Sequence, residues 1–284
     1  MLDFLIEPFT YQFMVHALIT VVVAAVVCAL LSCWLVLIGW SLMGDAVSHA
    51  VLPGVVIAYI IGVPYAIGAV VFGFLAVGLI GAVKDTSKVK EDAAIGIVFT
   101  SLFALGLVLI SVTPSQIDLN HIIFGNVLGV SQADLIQVLI VAAVVVTVLL
   151  VMRRKLVLFA FDPTQAFAVG LNPRPLGAVL LGLLALTAVV ALQAVGVVLV
   201  VAMLIIPGAT AQLLTLRFNR MLILAPTIAA VCALIGLYAS YYLDTAPGGM
   251  VVLAQGLAFA LVYLFNPRSG LLRRSRTRTL AAQV

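Results

Sequence analysis

Asp45 and His49 are the residues of this sequence best equipped for chemistry, four apart in the run Gly44-Asp45-Ala46-Val47-Ser48-His49-Ala50-Val51-Leu52-Pro53-Gly54. On a helix that spacing sets a carboxylate and an imidazole on one face, one turn apart, where they meet each other or share a cation. The flanking residues are apolar, and Asp at the centre of a membrane helix costs roughly 2.5–3.5 kcal/mol on insertion scales. A bound metal ion, a water-filled path or a mutual hydrogen bond would each offset that cost. The oxygen and nitrogen donors suit Mn(II), Fe(II) or Zn(II), with Ser41, Met43 and Ser48 as nearby helpers. The plainer alternative is an Asp-to-His hydrogen bond that closes a helix contact.

The elements that position this pair read as membrane. With 65% hydrophobic and 8% charged residues over 284 positions, and a mean hydropathy of +1.34, the composition indicates an all-α integral membrane protein, a polytopic helical bundle. The net charge of +4 does not indicate nucleic-acid binding, because the basic residues sit in short connections and not on a folded face. Cys28, Cys33 and Cys232 fall in apolar runs, where packing is their expected role. The first apolar run follows Asp3 and Glu7, has no basic n-region and is too long for a signal h-region, so it reads as a span.

The basic residues draw the topology. All fourteen Lys and Arg fall in four clusters: Lys84, Lys88 and Lys90; Arg153, Arg154, Lys155 and Arg174; Arg217 and Arg220; and Arg268, Arg273, Arg274, Arg276 and Arg278. Each cluster is expected to be cytoplasmic, so the chain crosses an even number of times between consecutive clusters. Apolar runs near 93–113 and 132–152, 175–194 and 196–216, and 221–243 and 250–266 supply those pairs. Three further runs, near 13–39, 43–62 and 64–83, precede Lys84. Nine spans with the N-terminus outside is the favoured count, and eight is the alternative.

Several features lie along this frame. His16 is expected to cap or pack, and Trp34 and Trp40 to sit in the interfacial belt. The outer connection from Pro114 to Ala133 contains Asp118 and His121, three apart; they could bind a metal, although a loop histidine near a cap aspartate is more often structural. Its centre, Ile122-Ile123-Phe124, suggests a short helix. Between Arg153 and Pro173, Asp162 fits an N-cap, Pro163 a first helical position, Gly170 a C-terminal cap and Pro173 a stop, which predicts a short cytoplasmic helix suited to docking a partner. Leu52-Pro53-Gly54 and Ile206-Pro207-Gly208 are expected to interrupt two oppositely directed spans, a pattern that points weakly to inverted repeats. Tyr238, Tyr241 and Tyr242 mark the outer interface ahead of Asp244, and the basic tail anchors at the inner leaflet.

The sequence has no Gly-x-x-x-x-Gly-Lys-Ser/Thr run and no His-Glu-x-x-His, so neither P-loop ATP binding nor zinc-protease chemistry is expected of it. No Lys or Arg lies inside a span, which favours a cation or a neutral cargo over an anion.

Taken together, the Gly44–Gly54 motif, the Leu119–Leu128 segment with Phe124-Gly125-Asn126, the Asp162–Gly170 loop, and Leu204-Ile205-Ile206-Pro207-Gly208-Ala209-Thr210-Ala211 resemble the membrane subunit of the manganese, iron and zinc ABC importers. The resemblance keeps motif order over almost the whole chain and implies a type II ABC importer-like fold. It implies one permease domain, residues 1–284, with a cytoplasmic coupling segment at 153–173, in the bacterial cytoplasmic membrane. ATP hydrolysis would lie on separate cytoplasmic subunits, docked through Asp162, Pro163, Gln165, Ala166 and Gly170. An extracytoplasmic binding protein would deliver the metal, and a second permease protomer, identical or related, would complete the transporter. Asp45 and His49 match the family's ion-coordinating carboxylate and histidine, while Asp118, His121 and Asp244 are candidates for the outer entrance. No cofactor would be held permanently, since the ion is cargo. The Ser48–Gly54 wording is similar to the manganese and iron branch, with a zinc permease or an ion-coupled secondary transporter as alternatives. One departure is Gly208, where many family members carry alanine.

Overall fold

The computed structural model describes residues 7–113, 129–195 and 197–266. Asp118, His121 and the short helix expected around Ile123 lie outside these residues. Every regular element described is helical: α1 Gln12–Ile38, α2 Ser41–Ala50, α3 Leu52–Ile61, α4 Tyr65–Thr86, α5 Glu91–Val112, α6 Gln132–Val151, α7 Arg153–Phe161, α8 Pro163–Ala168, α9 Pro173–Val195, α10 Val197–Leu214, α11 Phe218–Leu243 and α12 Pro247–Phe265. Among the described residues six stretches are long and apolar enough to cross a membrane: Gln12–Ile38, Met43–Ile61, Asp92–Val112, Gln132–Val151, Phe218–Leu243 and Pro247–Phe265. Shorter apolar helices at Ile67–Val83, Pro173–Ala188 and Val200–Leu214 fill the remaining places, so each apolar run read from the sequence has its helix.

The bundle is organised around α1, which packs against α6, α9, α10 and α11. Two-thirds of its apolar window is buried, as is the same share of Met43–Ile61, against 17% for Pro247–Phe265. The first two runs therefore form the interior, and α12 leaves most of its apolar surface uncovered by the rest of the chain. This centrality overturns the belt assignment of Trp34. Its side chain is fully buried, with its ring edge-on to Phe218 at 5.1 Å, because a residue on a helix enclosed by neighbours has no route to the interface. Trp40 is half-buried and lies 6.2 Å from Phe159 of α7.

Three contacts assign the two ends of the bundle. Arg153 Nη2 donates to Asn219 Oδ1 at 3.0 Å, and Asn219 stands between Arg217 and Arg220, so the second and third basic clusters share one end. The Asn266 side-chain amide donates to the Leu213 carbonyl, which brings the C-terminal end of α12 to that same end. Phe9 lies 6.0 Å from Tyr238, at the opposite end of α11 from Arg217 and Arg220. Phe9 is thus at the opposite end from Arg153, Arg217 and Arg220, as expected of an N-terminus outside.

The two Pro-Gly pairs are not equivalent. Pro53 lacks the N–H that the His49 carbonyl would use four residues on, and the helix breaks here, between Ala50 and Leu52. Pro207 instead lies within the continuous helix α10, contrary to the expected interruption. Ser32 of α1 stabilises that stretch: its Oγ accepts from Gly208 N at 3.0 Å and donates to the Ile205 carbonyl at 3.3 Å. A hydroxyl from a neighbouring helix is one way backbone near a proline is satisfied in lipid. Gly208 itself is held by contact, since a Cβ there would lie 2.8 Å from the Ser32 carbonyl oxygen. The break between α2 and α3 is stabilised differently, by glycine-to-glycine packing of α3 on α4, where a Cβ at Gly54 would strike the Gly68 carbonyl and one at Gly68 would strike that of Gly54. Small residues allow such close backbone approach between membrane helices.

Candidate metal-transit site

Asp45 and His49 lie on α2, one turn apart, immediately before the break that Pro53 imposes. His49 Nδ1 is 3.1 Å from Asp45 Oδ1 and 3.1 Å from the Asp45 carbonyl oxygen. Both partners of Nδ1 are oxygens, so the ring proton belongs on Nδ1 and the Nε2 lone pair is left free. This is the carboxylate-to-histidine arrangement that fixes an imidazole's tautomer and orientation and raises its basicity as a ligand. The site is recessed without being sealed, with side-chain exposures of 18% for His49 and 32% for Asp45. The pair is thus partly open to solvent, with Asp45 on the Nδ1 side of the ring and Nε2 on the other.

The sequence suggested Ser48 and Met43 as additional donors, and the structure removes both. Ser48 Oγ donates to the Gly44 carbonyl at 2.7 Å, and its side chain is 1% exposed. One residue from His49 is about 100° around a helix, so it cannot share that face. Met43 is buried in the core. The side chain of Ser41 lies outside the described residues.

Two neighbours of the imidazole escaped the sequence reading. Phe99 and Phe103, one turn apart on α5, place their rings 5.9 Å and 5.2 Å from the His49 ring, at 55° and 74°. Both are half-buried. Phenylalanine is common in an apolar span, and only the packing of α5 on α2 singles these two out. Among the described residues no group of three or more His, Cys, Asp or Glu gathers, so Asp45 and His49 stand as a pair without a third such side chain.

The segment expected to be cytoplasmic folds as a capped helix. Asp162 Oδ1 accepts from Thr164 N and Gln165 N, each at 2.9 Å, and Pro163 occupies the first helical position, where a missing N–H is harmless. At the other end Gly170 N donates to the Phe167 carbonyl at 3.0 Å and Leu171 N to the Ala166 carbonyl at 2.9 Å. With Gly170 at φ +84, these bonds form a Schellman stop. Ala166 is buried and Gln165 exposed, so α8 rests on the bundle by one small residue. Around it Phe161, Phe167 and Val169 stand 62–69% exposed on a part of the chain beyond the apolar spans.

At the far end Asp244 is exposed and takes left-handed backbone, φ 50, to end α11, its N–H donating to the Ser240 carbonyl. Asp tolerates that conformation better than most residues. Tyr238, Tyr241 and Tyr242 cluster beside it, with ring separations of 6.3 Å for Tyr238 to Tyr242 and 5.0 Å for Tyr241 to Tyr242.

Known proteins share this architecture. The chain is 48% identical over 268 residues to the manganese transport system membrane protein MntB of Synechocystis sp., covering 94% of this chain and 88% of that one. It is 45% identical over 279 residues to the chelated iron transport system membrane protein YfeC of Yersinia pestis, covering 98% and 95%. Its fold matches PsaBC from Streptococcus pneumoniae, solved in complex with Fab, with a TM-score of 0.91 at 38% identity, over 96% of this chain and 99% of that one. The model of the ABC 3 transport family matches residues 10–266, and with that match the helical frame, the Asp45 and His49 pair and the capped helix α8 find their common setting: this chain belongs to the ABC 3 transport family.

Proposed function

We propose that this chain is the permease subunit of an ATP-driven importer of Mn(II) or Fe(II) that works by alternating access in the bacterial cytoplasmic membrane. The observation that carries the reading is the contact of His49 Nδ1 with Asp45 Oδ1 at 3.1 Å, which orients the imidazole as a ligand with Nε2 free and Asp45 as its charged partner. Manganese and chelated-iron transport proteins among the relatives support this choice of cargo. Lys and Arg stay at the ends of the spans, as Arg174 and Arg220 do, which favours a cation as well.

Two ligands from one chain are few for a divalent transition metal. A second protomer, the same chain or a related one, would bring its own Asp45 and His49 counterparts to the interface, with water filling the remaining positions. Such a site binds with the moderate affinity that transit demands, since an ion held too tightly does not leave. No cofactor is resident. Asp118, His121 and Asp244 are assigned to the outer entrance, where a binding protein delivers the ion.

The drive comes from separate ATPase subunits. Asp162, Pro163, Gln165, Ala166 and Gly170 shape the coupling helix, and the exposed Phe161, Phe167 and Val169 are the surface we expect an ATPase to cover. Apolar side chains this exposed beyond the membrane mark interaction sites. Closure of the ATPase pair would move α8, and the spans would rock about Asp45 and His49.

Reconstitution tests the reading. Proteoliposomes holding this chain, its ATPase and its binding protein should take up Mn(II) or Fe(II) only when ATP is supplied. Uptake of Zn(II) in strong preference would reassign the cargo to zinc. Uptake without ATP would replace the ABC mechanism by an ion-coupled one.

A further inference from the structure

We propose that Phe99 and Phe103 are specificity-determining residues, an apolar wall beside His49 that makes the site discriminate against Mg(II). The inference rests on the Asp45 and His49 site put forward above and deepens it. The two rings stand one turn apart on α5 and lie 5.9 Å and 5.2 Å from the imidazole. The Phe103 ring meets it nearly edge-on, at 74°. His49 is thus held from two directions, by Asp45 at Nδ1 and by aromatic carbon across the ring. Asp45, the more exposed of the pair, occupies the Nδ1 side and leaves Nε2 for an ion.

Water chemistry supplies the selection. An ion that binds His49 Nε2 presents its remaining inner-sphere waters to its surroundings, and those waters need hydrogen-bond acceptors. Phenyl rings offer none of useful strength, so water facing Phe99 and Phe103 must be shed or left unsatisfied, an expensive outcome at a recessed site. Mg(II) dehydrates reluctantly and prefers oxygen ligands in a strict octahedron. Mn(II), Fe(II) and Zn(II) accept imidazole nitrogen and gain more from replacing water with it. The carboxylate alone would not make this distinction, because it serves Mg(II) as readily as Mn(II). Nitrogen at Nε2 favours the transition metal, and the aromatic wall withdraws the outer-sphere support on which hydrated Mg(II) depends.

The test uses the purified permease–ATPase complex without nucleotide and without binding protein, so that selection by the delivery protein does not enter. Mn(II) binding is followed through the electron paramagnetic resonance signal of the free hexaaqua ion, with His49→Ala as background, and Mg(II) is titrated in as competitor. Phe103→Asn and Phe99→Asn each place an acceptor beside the site. Each should lower the Mg(II) excess that displaces Mn(II) by about tenfold, the worth of one restored hydrogen bond. Phe103→Leu keeps the wall apolar and should preserve the wild-type displacement curve. Identical curves for wild type and both Asn variants overturn the proposal while leaving the site intact. Loss of discrimination in Phe103→Leu equal to that in Phe103→Asn also overturns it, since ring packing and not apolarity would then be responsible. Failure of the wild type to hold Mn(II) above the His49→Ala background overturns the site itself, and this inference with it.

Discussion

His49 Nδ1 faces Asp45 Oδ1 at 3.1 Å, and the same nitrogen faces the Asp45 backbone carbonyl at 3.1 Å. One residue therefore contacts the imidazole twice, and only one of those contacts depends on its side chain. Asp45→Asn keeps an acceptor for Nδ1–H and removes the charge, whereas Asp45→Ala removes both. Orienting partners of metal-binding histidines are typically worth about 10–100-fold in affinity or activity. Initial rates of Mn(II) uptake should fall by about tenfold in Asp45→Asn and further in Asp45→Ala. Equal rates in Asp45→Ala and wild type would reduce the pair to a helix contact.

Ser32 and Gly208 make a second test, of structure alone. Ser32→Ala leaves the Gly208 N–H without its 3.0 Å partner and should destabilise the detergent-solubilised protein by about 1 kcal/mol. Gly208→Ala forces a Cβ against Ser32, and overpacking of this kind costs about 1–3 kcal/mol. The double variant should cost less than the two together, because Ser32 Oγ is among the atoms a Cβ at Gly208 would strike. Thermal unfolding of the four proteins measures the coupling, and strict additivity would contradict the contact.

At the α3 to α4 crossing the obstacle to a methyl group is backbone on both sides. Gly54→Ala and Gly68→Ala should each lower the unfolding temperature and the yield of folded protein, because neither carbonyl can move aside as a flexible side chain could. Size-exclusion profiles would show the loss. Unchanged stability in both variants would mean that α3 and α4 do not cross there.

For the coupling helix, Asp162→Ala removes the acceptor of two backbone N–H groups, a cap worth about 1 kcal/mol. The bundle should stay folded, since α8 projects from it, while transport-coupled ATPase activity falls. Phe167→Asp should weaken retention of the ATPase subunit on affinity purification, given a ring 69% exposed. Full retention and coupling in both would place the docking surface elsewhere.

Much of this was legible in the sequence, and the reasons differ by residue. Spans are legible because lipid demands about twenty apolar residues for each crossing, and the arginines and lysines punctuate them. Asp45 and His49 are legible because a four-residue spacing is a local property of a helix, independent of what packs around it. The Asp162 cap and the Gly170 stop are local too. The misreadings all concern which helix lies beside which. Trp34 looked interfacial until α1 proved to be enclosed. Pro207 looked like a break until Ser32, 176 positions away from Gly208, supplied the hydroxyl that stabilises the helix. Phe99 and Phe103 are ordinary apolar residues of their span, marked out only by the imidazole across from them.

The most direct measurement is ATP-dependent Mn(II) uptake into proteoliposomes containing wild type, Asp45→Ala or His49→Ala at matched protein content, with the ATPase and binding protein present. The account predicts uptake by wild type and background levels in both variants, while the ATPase remains bound in all three. Uptake surviving the loss of both side chains would contradict it, and would move the ion's path away from α2.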